Sequence, residues 1–298
     1  MENKNRLFIA IALNVLIVIA QIIAGLYSGS LALLTDAIHN FQDVVSLIIA
    51  YIAVVFMAKK PTKRMTFGYL RSEVMAGFIN SAFLLGAIFL IILNSIERLF
   101  KPEEVQSIYL IVIGGIAFVI NGFSAWLLGF HHHHHHGEED HHHREDLNIR
   151  AAYLHLLSDA GISLGVVIGG IIMYFYGVYW VDPLISILFS LYILKETIPV
   201  LKKSYMILME ATPSNVNVAD IKKEILSIPQ IKDVHDIHVW ALSSKDIYLS
   251  AHILLENQTS IEDFNKILEM LKERLDRYGI NHITIQPEIK DFKCDYTY

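Results

Sequence analysis

The chain has 298 residues, 54% of them hydrophobic, with a mean hydropathy of +0.44 and a formal charge of −6. A soluble protein of this size is rarely so apolar. The mild acidity, with no basic patch interleaved with aromatics, excludes nucleic acid as a partner class, and a single cysteine, Cys294, excludes an intramolecular disulfide.

Six apolar runs, at 7–27, 31–57, 73–99, 107–130, 149–176 and 181–201, are each long enough to cross a bilayer, which takes about 20 residues. The first is long and lacks a small-residue cleavage pattern, so it reads as a retained span. The connections after the first and fifth runs are short, so each of those pairs reads as a helical hairpin. The loop at 58–72 carries Lys59, Lys60, Lys63, Arg64 and Arg71, which places it in the cytoplasm. Lys4, Arg6, Lys202 and Lys203 agree. An even number of spans then puts both termini in the cytoplasm.

Gly161, Gly165 and Gly169 recur every four residues along the fifth run, a spacing that admits a close neighbouring helix. Asp182, followed by Pro183, reads as the N-cap of the last span.

Beyond residue 203 the chain reads as a soluble domain. Residues 218–227 look helical, and 232–241 and 247–255 alternate as strands around a Ser-Ser-Lys-Asp turn. Residues 260–278 have helical periodicity and 280–287 form a third strand. The expected architecture is an α-helical membrane domain of six spans (1–203) followed by a cytoplasmic αββαβ domain, ferredoxin-like in kind (204–298).

Two of the spans carry ionisable residues that are costly in a bilayer and usually functional there. These are His39 and Asp43, then His155 and Asp159. A spacing of four puts each pair on one helix face. Two such faces turned together supply two imidazoles and two carboxylates, a closed set suited to a tetrahedral divalent metal, zinc first. Asp36 reads as an access or helix-start residue rather than a ligand, and Asn40 as a residue that tunes the site from behind its ligands.

Nine of the 15 histidines fall in the connection between the fourth and fifth spans: His131, His132, His133, His134, His135, His136, His141, His142 and His143. Six consecutive imidazoles suggest a purification tag. Tags are terminal, however, and this run is internal, followed by Glu138, Glu139, Asp140 and the second run. The segment 130–144 reads instead as a low-affinity metal reservoir. In the tail, His235, His252 and His282 lie on or beside strands, followed by Gln286 and Glu288. Period-two alternation can gather them on one face into one or two cytoplasmic sites.

A metal set buried in a bilayer suits transport. Two carboxylates in a low dielectric are costly once the metal leaves, so protons replace it. One rival is an intramembrane metalloenzyme, which needs an open metal position and a general base. No His-Glu-x-x-His motif is present, and the set is already saturated by protein ligands. The chain therefore reads as a transporter, not an enzyme. The other rival, a membrane-anchored metal sensor or storage protein, leaves six spans with buried Asp unexplained.

The chain resembles the cation diffusion facilitator family, specifically its bacterial zinc and cadmium transporters. The likeness lies in Ser30-Leu-Ala-Leu-Leu-Thr-Asp-Ala-Ile-His-Asn-Phe-Gln-Asp43, Thr66-Phe-Gly-Tyr-Leu-Arg-Ser-Glu73, the His-rich loop and Asn148-Ile-Arg-Ala-Ala-Tyr-Leu-His-Leu-Leu-Ser-Asp159. Val234-His-Asp-Ile-His-Val-Trp-Ala-Leu242 and Thr284-Ile-Gln-Pro-Glu288 extend it into the tail. The resemblance implies a homodimer in the bacterial plasma membrane that exports zinc, with cadmium and cobalt as further substrates, in exchange for protons. It implies a transport site of His39, Asp43, His155 and Asp159, zinc as a regulatory ligand of the tail, and a charge contact between Arg71 and Glu210. The chain departs from the family twice. The stretch 59–66 lacks the Asp and His ligands that some bacterial members carry there, and Gln286 stands where some members have His. The second departure weighs against a two-metal tail centre.

Overall fold

The computed structural model describes the backbone of residues 2–129, 142–256 and 259–288, and the side chains of 15–49, 51–126, 153–256 and 259–288. Six long helices come first: α1 (Glu2–Ser28), α2 (Leu31–Met57), α3 (Arg71–Phe100), α4 (Ser107–Gly129), α5 (His142–Tyr176) and α6 (Val181–Leu208). Among the described residues, five of them, α2 to α6, are long and apolar enough to cross a membrane. The described apolar part of α1, Val15–Ser28, is shorter than a span.

α5 begins at His142 and α6 ends at Leu208, well outside their apolar runs. Neither extension contains Gly or Pro to stop a helix. The chain divides into two compact units, Met1–Ile48 with Asn80–Ile198, and Ile49–Ile79 with Pro199–Tyr298.

Within the first unit, close packing sets the helix positions. A Cβ on Gly165 would lie 2.7 Å from the Phe189 ring, and one on Gly169 would overlap Ile185. These two glycines let α5 approach α6, as their spacing suggested. Gly161 differs, since nothing lies within 4 Å of its Cβ position.

Asp182 also departs from expectation. It does not cap its own helix. Its carboxylate accepts from Ser30 Oγ at 2.5 Å, Leu31 N–H at 2.7 Å and Ala32 N–H at 3.2 Å. It thus satisfies the orphan donors at the start of α2, the helix that carries His39 and Asp43. Arg98 donates to the Gly29 carbonyl just before that start.

In the second unit the tail follows the order α7 (Val218–Leu226), β1 (Ile231–Ala241), β2 (Ile247–Leu255), α8 (Ile261–Asp276) and β3 (Ile280–Glu288). The sheet order is β1-β2-β3, with β1 antiparallel to β2 and β2 parallel to β3 through the α8 crossover. β2 alternates strictly between buried and half-buried residues. Its buried face joins Ile221 and Ile225 of α7 and Ile267, Leu271 and Leu275 of α8 in one apolar core. The opposite face is left for the histidines. Ser260 caps α8, and its hydroxyl bond to Asp263 holds that carboxyl below the usual carboxylate range.

Candidate metal centres

α2 and α5 bring their His-Asp pairs together. His39 Nε2 lies 3.2 Å from Asp159 Oδ1, and His155 Nε2 lies 3.3 Å from Asp43 Oδ2 and 3.7 Å from Asp159 Oδ2. Every imidazole therefore faces a carboxylate of the other helix. The ligand atoms of His39, His155 and Asp159 all lie within 4.8 Å of one another. Asp43 joins through His155. His39 and Asp159 are buried, Asp43 is half-buried and His155 is exposed. Three residues converge and Asp43 flanks them beside His155; together they offer two nitrogens and two carboxylates, a donor set suited to a tetrahedral divalent cation.

Behind this cluster lies a network that the sequence did not reveal. Asp36 is fully buried. Its Oδ2 accepts from Gln21 Nε2 of α1 at 2.6 Å and from Ser163 Oγ of α5 at 3.1 Å. Asn40 Nδ2 donates to Gln21 Oε1 at 2.9 Å and to Asp36 Oδ1 at 3.3 Å. Asn40 thus touches Asp36 rather than a ligand. Asp36 sits three residues before His39, and Ser163 four residues after Asp159, so the network ties together the same faces of α2 and α5 that carry the candidate ligands. The spacing 36, 39, 40, 43 was the available signal, since it makes one polar stripe along α2.

The tail sheet forms a second cluster. His235 Nε2 lies 3.3 Å from Glu288 Oε2, and His252 Nδ1 lies 3.1 Å from Glu288 Oε1. The ligand atoms of these three residues also lie within 4.8 Å of one another. Glu288 is buried, and its Oε2 and the facing His235 Nε2 are buried without a hydrogen-bond partner. Buried polar atoms left in this state are costly, and a cation between them satisfies both, so the residues fit a divalent metal.

Gln286 stands beside the cluster, its Nε2 donating to Glu288 Oε1 at 3.1 Å. His282 is not gathered in. It pairs in register with Tyr248, against whose ring it packs at 4.8 Å. Asp236, missed from the sequence, lies 3.4 Å from His252 Nε2. The loop imidazoles at 131–136 and 141–143, and Cys294, lie outside the described side chains.

Arg71 Nη2 lies 2.5 Å from Glu210 Oε1. Glu210 follows α6 with φ +58°, and the N–H groups of Glu210 and Ala211 reach back to the Ile207 and Met206 carbonyls. This left-handed helix end is one that glycine usually fills.

Residues 7–209 match the cation efflux transmembrane domain, and residues 213–290 match the cytoplasmic domain of cation efflux proteins. The chain is 36% identical to the "Cadmium, cobalt and zinc/H(+)-K(+) antiporter" of Bacillus subtilis, over 98% of this chain and 91% of that protein. It is 36% identical to the "Metal cation efflux system protein CzcD" of Cupriavidus metallidurans, over 96% and 87% respectively. To the "Zinc transporter ZitB" of Yersinia pestis it is 35% identical, over 96% and 88%.

Proposed function

The chain belongs to the cation efflux family, and on that premise we propose that it exports zinc, and also cadmium and cobalt, from the cytoplasm in exchange for protons. The observation that carries this reading is the convergence of His39 and Asp43 of α2 with His155 and Asp159 of α5. These four side chains hold the transported ion. The Bacillus relative, named an antiporter, and the Yersinia relative, named a zinc transporter, support the choice of ions and the proton exchange.

The chemistry follows from charge. Two carboxylates and two neutral imidazoles around a divalent ion make a neutral site. Once the ion leaves, two bare carboxylates in a low dielectric are costly, and two protons restore neutrality. A negative-inside potential opposes export by about 2.3 kcal/mol per charge per 100 mV, and inward protons offset it. Rocking of helices around a fixed site exposes it to each side in turn.

In this reading the division lies at residue 203, both termini are cytoplasmic, and the protein works as a homodimer in a bacterial plasma membrane. His235, His252 and Glu288 bind zinc as a regulatory ligand, with Gln286 beside them and His282 apart. The loop 130–144 raises the metal concentration near the entrance. Arg71 and Glu210 form a structural charge contact.

The test is flux of radiolabelled zinc into inverted membrane vesicles under an imposed pH gradient. Uptake should require the protein and an acidic lumen, and should collapse with a protonophore. Zinc uptake that ignores the gradient would remove the exchange. Zinc binding without any uptake would make the chain a sensor or store.

A further inference from the structure

β1 does not run evenly past β2. His235 pairs with His252 and His238 with Ser250, so three steps along β1 match two along β2. The extra residue makes a bulge, and within it Asp236 has φ +51°. L side chains rarely adopt this conformation, Asp and Asn being among the commoner exceptions. In an even strand the residue after His235 points to the opposite face, which here is the apolar core of Val234, Leu249 and Ile253. The bulge turns Asp236 back to the histidine face, as bulges beside functional sites do.

On that face Asp236 is held at both oxygens. Oδ1 lies 3.0 Å from His238 Nε2, and Oδ2 lies 3.4 Å from His252 Nε2. The other nitrogen of His252, Nδ1, lies 3.1 Å from Glu288 Oε1. His252 thus stands between two carboxylates, one inside the His235–His252–Glu288 triplet and one outside it. A neutral imidazole has one N–H and one lone pair. With a cation held between Glu288 and His235, the Nδ1 lone pair would bind it and the proton would lie on Nε2, where Asp236 accepts it.

We infer that Asp236 is a positioning residue of the tail metal site, fixing His252 in the tautomer and ring orientation that present Nδ1 to a divalent cation. The inference rests on the reading of the triplet as a zinc site. Carboxylates that accept the second N–H of a metal-bound His characteristically have this role. His238, which grips the other oxygen, holds the carboxylate in place. The left-handed backbone is then the means by which Asp236 reaches His252.

The test uses the full chain carrying Asp159→Ala, with the histidines at 131–136 and 141–143 changed to Ser so that the tail is the remaining site. Zinc affinity is measured by competition with a chromophoric chelator, alongside Tm. Glu288→Gln is the ligand control and should lose tail binding. Asp236→Gly relieves the left-handed backbone, so Tm should hold or rise while affinity falls about 10–100-fold. Asp236→Asn keeps the backbone preference and a carbonyl acceptor, and should fall between Gly and the parent. If Gly and Asn variants that hold the parent Tm also hold the parent affinity, Asp236 serves only the turn and the inference is overturned. If the parent binds no more zinc than Glu288→Gln, the triplet reading fails and Asp236 loses its role with it.

Discussion

The candidate ligands of the helical cluster arrive as two pairs, His39 with Asp43 on α2 and His155 with Asp159 on α5. The candidate tail ligands arrive singly, from β1, β2 and β3. In the helices each imidazole meets a carboxylate of the other helix, at 3.2 and 3.3 Å. Movement of α2 against α5 therefore loosens both contacts together. In the sheet, His235 and His252 are paired in backbone register and Glu288 lies beside them on β3. No sliding is available there without breaking the ladder. On the proposed reading, similar donor chemistry is mounted once between helices that move and once on a hydrogen-bonded sheet, which suits release in one place and retention in the other.

The sharpest way to break this comparison is to remove a helical carboxylate. Asp159 meets both imidazoles, and its loss leaves a missing ligand and a net positive site. Asp159→Ala should cut zinc flux by more than about 100-fold while the tail still binds zinc. Vesicle flux and zinc titration of the same preparation check this. Equal loss of flux and tail binding would mean that the two clusters are not separate devices.

A second test addresses the support. Asp182→Ala removes the acceptor of three bonds at the start of α2 and leaves buried donors unpaired. It should lower stability by about 3 kcal/mol, read as a fall in Tm in detergent, and should weaken transport through α2. Asp182→Asn should cost less because it keeps an acceptor.

The meeting of the two helical pairs was legible because a helix converts spacing into facing: residues four apart share a face, and two such faces turned together bring four candidate ligands close. The apolar runs located the helices, although they undershot α5 and α6, whose polar ends continue as helix for want of a Gly or Pro. Asp182 was misread because its partner lies on α2, 150 residues or more away in sequence, and a cap supplied across the fold leaves no local pattern. That His235, His252 and Glu288 meet while His282 does not was beyond the sequence, since strand register decides which side chains come together. Asp236 was out of reach for the same reason, sharpened by a bulge. Alternation alone would have put its side chain on the wrong face.

The smallest expected effect lies at the charge contact outside both clusters. Arg71 and Glu210 are partly exposed, so breaking the pair should cost up to about 1 kcal/mol. Arg71→Glu and Glu210→Arg should each slow transport, and the double reversal should restore it. Lack of rescue would show that the two residues act separately, and the comparison between an opening and a fixed support would then need no link through this pair.

The most direct measurement is the metal preference of His39→Asp, because a changed selectivity cannot arise from misfolding. Replacing nitrogen by oxygen in the four-ligand set favours harder cations, and the new carboxyl can still take up a proton. In proteoliposomes under a pH gradient, the ratio of manganese to zinc flux should rise by about tenfold or more, with proton coupling retained. An unchanged ratio in an active, folded variant would place the transported ion away from His39 and contradict the account.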